Sequence, residues 1–294
     1  MMVIVKIMGG LGNQMFQYAA GRALSQRLKA ELKLDISWFE TMDDAAPRMF
    51  LLHCFAIAAT EATTDEINKI IFEKQNICQK ALRIKKKYSS SYKIQPSYDY
   101  WLDFSSFTPP VYLSGYWQNE KYFSDILPII IQDFSFPKLS CSNAVKMSEK
   151  IKLSSNSVSI HIRRGDYVEN PDVNRVHGTC HLEYYKKALQ IIAGNYNKPL
   201  ELYIFSDDPD WVRNHFDMQE YPSVIVDVQE HKNAPYNDMH LMSLCNNHII
   251  ANSSFSWWAA WLSAGDGVVI APKRWFAENS RRHHNPSIPS WVTI

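Results

Sequence analysis

An excess of charge of either sign is missing from this 294-residue chain: lysine plus arginine total 31 against 30 aspartates and glutamates, a formal net charge of +1. A general nucleic-acid binder carries a clear basic excess, so the balance argues against that partner, although a local basic pocket for a small anion stays open. Cysteine is scarce. Cys54, Cys78, Cys141, Cys180 and Cys245 are odd in number and scattered, with no C-x-x-C pair. That pattern reads as reduced, unpaired thiols in a cytoplasmic protein. No stretch reaches the roughly 18 apolar residues of a membrane span. The opening MMVIVKIMGG is short and interrupted by lysine, which argues against a secretory leader. The expectation is therefore a chain with neither leader nor membrane anchor. Walker loops, G-x-S-x-G elbows and Cys/His signatures of hydrolytic nucleophiles are absent too, as are low-complexity segments and short repeats.

What is present is a large apolar fraction, 46%, enough for one large domain or two ordinary ones. Aromatics reach 13%, with nine Trp and fifteen Tyr. Such rings stack on the apolar faces of sugars, and equally they fill cores. Val3 to Met8 reads as a buried strand, Asn13 to Leu28 as a helix and Leu32 to Ile36 as a second strand. That βαβ opening predicts a parallel sheet covered by helices. A helix is expected from Thr64 to Glu73 and a strand over Val111 to Gly115. The basic run from Ala81 to Ser91 reads as a solvated face, with a weak membrane-surface or acceptor-glycan contact as the alternative. The polar stretch from Pro137 to Ser157 precedes a strong strand, Ser157 to Ile162, so the expected domains are 1–152 and 153–294. Strands at Glu201 to Phe205, Ser223 to Val228, His248 to Ala251 and Gly267 to Ala271 then alternate with helices at Leu182 to Ile192, from Trp211, at Asn237 to Cys245 and from Ser256. The fold class is α/β: two doubly wound halves facing across a cleft, with ligands beyond the carboxyl ends of the strands.

Four blocks carry chemistry. Ser159 to Tyr167 (SIHIRRGDY) delivers His161, Arg163, Arg164 and Asp166 to a strand end, with His161 and Arg163 on one face. Burying two arginines there is costly without an anion. A diphosphate meets that need through bidentate contacts; a structural Arg–Asp pair is the plainer reading. Gly9 to Ala19 (GGLGNQMFQYA) forms a strand, glycine turn and helix start whose amides suit an anion. It fits neither a Walker loop nor G-x-G-x-x-G, and taken alone Asn13 reads best as a helix cap. Leu202 to Asp210 (LYIFSDDPD) contains a D-x-D triplet, Asp208-Pro209-Asp210, of the kind that holds a divalent metal. Capping by Ser206 or Asp207 ahead of Pro209 explains it better, and Asp207 is also available to a ribose or base. In the fourth block Asn252-Ser253-Ser254 turns a strand into an aromatic helix, and its hydroxyls and amides suit phosphate. Trp257, Trp258 and Trp261 cover too much of that helix for one narrow face, which puts at least one at a cleft or all three in the core. Asp238 either caps its helix or pairs with the guanine edge. His177 and His181 have metal-ligand spacing, but Gly178 and Thr179 argue against the single helix it requires.

Together GGLGNQMFQYA at 9–19, LSGYWQNEKYF at 113–123, HIRRGDY at 161–167, YIFSDD at 203–208 and NSSFSWWAAWL at 252–262 resemble the alpha-1,2-fucosyltransferases of glycosyltransferase family 11, in family order across most of the chain. The length and the missing anchor resemble the bacterial members. The resemblance implies a GT-B fold, an acceptor-side N-terminal domain, a donor-binding C-terminal domain, and inverting transfer of L-fucose from GDP-fucose to the 2-hydroxyl of a terminal galactose. No metal or other cofactor is implied. Arg163 would hold the beta-phosphate and Arg164 bind or brace nearby. His161, Asp238 and Asp207 would contact the guanosine, and Gly10, Gly12 and Asn13 would close over phosphate and fucose. Asn252, Ser253, Ser254, Phe255 and Ser256 would surround the diphosphate or base, with Tyr116, Trp117 and Gln118 toward the acceptor. Asp166 is the first candidate for general base, with an arginine-orienting ion pair as its plainer role; relatives that use the leaving phosphate are a third possibility. The partners implied are GDP-fucose and a beta-galactoside of a glycan, O-antigen or capsule, with a site of action in the cytoplasm or at the inner face of a bacterial membrane. The competing readings are another GDP-sugar transferase and a non-catalytic sugar-nucleotide or glycan binder. Oligomeric state is not written in the sequence.

Overall fold

A computed structural model of the chain describes residues 1–41, 48–74, 87–139, 141–196, 199–216, 220–227, 234–277 and 284–294. Cys78 and positions 81–86 of the basic run lie outside them. The chain divides into two compact units, Met1–Ser135 and Phe136–Ile294.

The first unit is built on a parallel sheet of β1 (Met2–Lys6), β2 (Glu31–Asp35), β3 (Thr60–Glu61), β4 (Tyr92–Ile94) and β5 (Val111–Ser114), in the order β3-β2-β1-β5-β4. Val3, Ile4 and Val5 are fully buried, as the apolar run predicts. Its helices are α1 (Leu11–Leu28), α2 (Thr64–Ile71) and α3 (Leu127–Asp133). A capping box between Thr63 and Glu66 starts α2. Asp133 accepts from the Tyr18 hydroxyl at 2.6 Å and from Arg22 Nε at 2.9 Å, tying α3 to α1.

The second unit runs α4 (Ser142–Leu153), β6 (Ser157–Ile162), α5 (Gly165–Glu169), α6 (Pro171–His177), α7 (Leu182–Ala193), β7 (Glu201–Ser206), α8 (Pro209–His215), β8 (Ser223–Ile225), α9 (Tyr236–Ser243), β9 (Asn247–Ile249), α10 (Ser254–Trp261), β10 (Val269–Ala271) and β11 (Val292–Thr293). Its sheet has the order β11-β10-β9-β6-β7-β8, with every pairing parallel. Counted from β6, that is the Rossmann order 3-2-1-4-5-6 read from its far edge. The core gathers Val158, Ile160, Ile162, Leu189, Ile192, Leu202, Ile204 and Ile249 between sheet and helices.

The boundary falls at Ser135/Phe136, ahead of the expected 152/153, because α4 belongs to the second unit and packs on α9. Its buried residues, Ala144, Ser148 and Ile151, do have helical spacing, but two of the three are small, so the apolar stripe is faint in the sequence. Helices α5 and α6 bury no side chain, and the edge strands β3 and β11 are exposed, so burial leaves no periodic trace there either. Among the described residues no helix is long and apolar enough to cross a membrane.

Candidate active site

In each unit the strand order reverses beside its first strand, between β6 and β9 and between β1 and β5. Ligands of open parallel sheets bind beyond the carboxyl ends of the strands at such a switch point. Arg163, Asp207 and the start of α10 stand at the first of these, and the glycine turn with Gln118 at the second.

In the second unit β6 ends in His161 and Arg163. The imidazole of His161 is buried, 5.9 Å from the Phe255 ring between centroids. Burial, helped by the charge of Arg163, pushes its pKa down to about 3, so the ring is neutral at working pH. Arg163 is doubly paired: Nη2 meets the Asp166 carboxylate, and Nη1 lies 2.8 Å from Asp207 Oδ2. Burial works against this charge, but the Asp207 and Asp166 carboxylates more than offset it, and its pKa lies above the usual value. The anions that pair with the arginines here are supplied by the chain itself. Arg164 is braced rather than extended. Its backbone N–H donates to Asp207 Oδ1 at 2.8 Å, its Nε to Asp208 Oδ2 at 3.2 Å, and its guanidinium carbon stands 3.8 Å from the Trp211 ring centroid.

Gly165 is a functional position that the motif reading passed over. A Cβ there would lie 2.5 Å from Asp207 Oδ2, so only glycine leaves room for the carboxylate that grips both arginines. The D-x-D residues diverge: Asp208 caps α8 through Trp211 N at 3.0 Å while pairing with Arg164, and Asp210 pairs with Arg213 at 2.6 Å. Among the described residues no group of three metal-ligating side chains comes together. His177 closes α6 and stacks on Tyr167, while His181 precedes α7, so the two do not share a helix.

Beyond β9, Ser253 caps α10, its hydroxyl accepting from Phe255 N at 3.4 Å. Ser254 and Phe255 are half-buried, and Ser256 is buried against Ser253 O at 3.3 Å. The Asn252 side chain holds the turn in place, its Nδ2 donating to the carbonyls of His177, Gly178 and Trp275. Trp257 and Trp258 are fully buried, and Trp261 is half-buried. Asp238, in the first turn of α9, makes no cap for that helix; burial, with a lesser push from the Asp227 charge, raises its carboxyl to about 7.

In the first unit Gly9 turns the chain with φ 78°, and Gly10 begins α1. Asn13 does not cap this helix. Its Oδ1 accepts from Gln118 Nε2 at 2.7 Å, joining the glycine turn to the segment after β5. Buried glutamines that the motif reading left without a role hold the turn. Gln14 donates to Gly9 O at 2.9 Å and to Met49 O at 2.8 Å, and Gln17 accepts from Met8 N at 2.9 Å. Fully polar residues on the buried side of an otherwise apolar helix were the signal for them. Gly12 is buried in the same turn. Tyr116 is half-buried and stacks on Tyr98 at 5.7 Å and 13°. Trp117 departs from the expected acceptor-facing place: it is fully buried against Phe104 and Tyr122, a core residue.

An alpha-1,2-colitosyltransferase of Escherichia coli is 35% identical, over 99% of this chain and 98% of the relative. A galactoside 2-alpha-L-fucosyltransferase, SEC1 of Bos taurus, is 26% identical over 63% of this chain and 51% of its own length. Among solved structures, the NodZ alpha-1,6-fucosyltransferase co-crystallised with GDP superposes with a TM-score of 0.51 at 14% identity, over 89% of this chain and 92% of that one, a likeness of fold. The α/β fold with two Rossmann-like units is of the GT-B type. A family model described as glycosyl transferase family 11 matches residues 1–294, and the chain is a glycosyltransferase belonging to that family.

Proposed function

We propose that the protein transfers L-fucose from GDP-fucose, with inversion, to the 2-hydroxyl of a terminal galactose in a glycan, O-antigen or capsule unit, without a metal ion. What carries the reading is Arg163, held at the carboxyl end of β6 on the switch point of a Rossmann-order sheet. The acceptor oxygen attacks C1 of the sugar, the bond from C1 to the beta-phosphate oxygen breaks, and its electron pair leaves with GDP. Arg163 neutralises that developing charge. His161, neutral, and the start of α10, from Ser253 to Ser256, line the nucleotide, with Asp238 and Asp207 toward the guanosine. Arg164 braces the strand end through Asp207 and Asp208. Gly10, Gly12 and Asn13 cover the phosphate and fucose, while Tyr116 and Gln118 address the acceptor. Asp166 takes the proton of the attacking hydroxyl.

A second donor has an observation in its favour, the colitosyltransferase relative at 35% identity. Colitose is L-fucose without its 3-hydroxyl, so the same residues serve either donor and the distinction rests on a single oxygen. The test is GDP release from GDP-fucose and from GDP-colitose, dependent on an added galactoside, with linkage analysis of the product by mass spectrometry. Chelator is expected to leave the rate unchanged, and Arg163→Ala to lose about 100- to 1,000-fold in turnover while staying folded. Activity abolished by chelator and restored by manganese, or wild-type rates in Arg163→Ala, would overturn the mechanism.

A further inference from the structure

Strands β4 and β5 pair in parallel at one edge of the first sheet. Gln95 directly follows β4, and its backbone N–H carries the ladder on, donating to Ser114 O at 2.8 Å. Its side chain crosses to the segment that leaves β5. There Oε1 accepts from Tyr116 N and from Trp117 N, each at 2.9 Å. Gly115 leaves room for this approach: a Cβ there would lie 2.7 Å from Gln95 Oε1.

Two successive N–H groups that converge on one oxygen form a small nest, a geometry in which one residue takes the left-handed conformation. Here that residue is Trp117, with φ 54°, and a side chain bearing a Cβ is strained there. Such a conformation persists only where its surroundings over-determine it. The Gln95 oxygen is one determinant, and the fully buried Trp117 ring is another. The turn sends three consecutive side chains three ways. Tyr116 stacks on Tyr98, with centroids 5.7 Å apart and planes at 13°. Trp117 enters the core. Gln118 donates to Asn13 Oδ1 at 2.7 Å, beside the glycine turn.

We infer that Gln95 is a positioning residue for the acceptor sugar: by holding the backbone at 116 and 117 it aims Tyr116 and Gln118. This rests on the reading of those two side chains as acceptor contacts. Gln95 acts through the backbone of the turn and not on the sugar itself. A ring face and an amide can present one chosen hydroxyl to the donor only while both stay fixed, since a misplacement of about 1 Å can cost 100-fold in rate. The amide is neutral, so the turn is held without a charge being added beside the acceptor.

The distinguishing experiment is steady-state kinetics of galactoside-dependent GDP release, each substrate varied in turn, on the wild-type protein, Gln95→Met and Gln95→Glu. Methionine keeps the length of glutamine without its oxygen; glutamate keeps an oxygen in the same place. Gln95→Met is expected to raise the KM for the galactoside about tenfold, since two hydrogen bonds go, and to leave the KM for the GDP-sugar within about twofold of wild type. Gln95→Glu is expected to bring the galactoside KM back to within about threefold of wild type. A residue that merely held the fold would move both KM values together or neither. Gln95→Leu repeats the measurement should the methionine variant misfold. An unchanged galactoside KM without the oxygen, an equal rise for both substrates, or a Gln95→Glu protein as impaired as Gln95→Met, beside a wild-type protein that transfers to galactosides, overturns this inference alone. A wild-type protein that transfers from a GDP-sugar to no galactoside overturns the acceptor reading and this inference with it.

Discussion

Replacing Gly165 by alanine tests the Arg163 site without touching any charged group. The new methyl would stand 2.5 Å from Asp207 Oδ2 and 3.1 Å from its Cγ. Ordinary contact begins near 3.4 Å, so Asp207 Oδ2 must retreat by 3.4 − 2.5, about 0.9 Å. For a loose side chain that shift is cheap. Asp207 is not loose, since it stands 2.8 Å from Arg163 Nη1 and accepts at 2.8 Å from Arg164 N. A retreat of that size takes one or both contacts beyond hydrogen-bonding distance. Losing one charge-assisted hydrogen bond costs about 1.5 to 3 kcal/mol, and if Arg163 moves with it the transition state loses a similar amount. That corresponds to a fall of about 10- to 100-fold in kcat/KM. Stability moves less, because alanine restricts the unfolded chain and returns about 0.4 to 1 kcal/mol, which leaves a net loss of about 0.5 to 2.6 kcal/mol. The expected result is a melting temperature within a few degrees of wild type beside a large loss of galactoside-dependent GDP release. A Gly165→Ala protein with wild-type kcat/KM would refute the claim that Asp207 positions Arg163.

Two further outcomes follow from the geometry. Gln118→Leu removes the 2.7 Å donor to Asn13 Oδ1; kcat/KM is expected to fall about tenfold, with circular dichroism unchanged, and unaltered kinetics would remove this bond from the mechanism. Asp238, with its carboxyl raised from 3.8 to about 7, keeps a proton in the folded state that the unfolded chain releases. Its contribution to stability therefore declines as pH rises from about 4 to about 7 and is level above that. Asp238→Asn lacks this loss, so the melting temperature of the variant minus that of wild type should be larger at pH 8 than at pH 5. An equal or reversed difference would show that the carboxyl is not desolvated.

The blocks that carry chemistry were legible because their signals are local. Apolar runs ending in glycine or arginine identify β1 and β6 as buried strands with functional residues at their carboxyl ends, and α1, α7 and α10 begin within a few residues of where spacing puts them. Where burial is shallow the signal fails. Helix α4 hides its stripe behind Ala144 and Ser148, and α5 and α6 bury nothing. Trp117 resembles a sugar-facing ring because an aromatic in a motif block carries no label for inside or outside; a left-handed backbone (φ 54°) at that residue goes with its place in the core.

Residue order by itself determined that an arginine pair, a glycine turn and a serine-rich helix start would each stand at the end of a strand, since period and punctuation act over a few residues. Sheet order decided which of them meet. Asp207 reaches Arg164 across 43 positions because β7 lies beside β6, and Gln118 reaches Asn13 across 105 because the sheet of the first unit sets β5 beside β1. Such pairings depend on which strand edges hydrogen-bond, a choice made by packing of the whole sheet and its helices, and no local pattern encodes it.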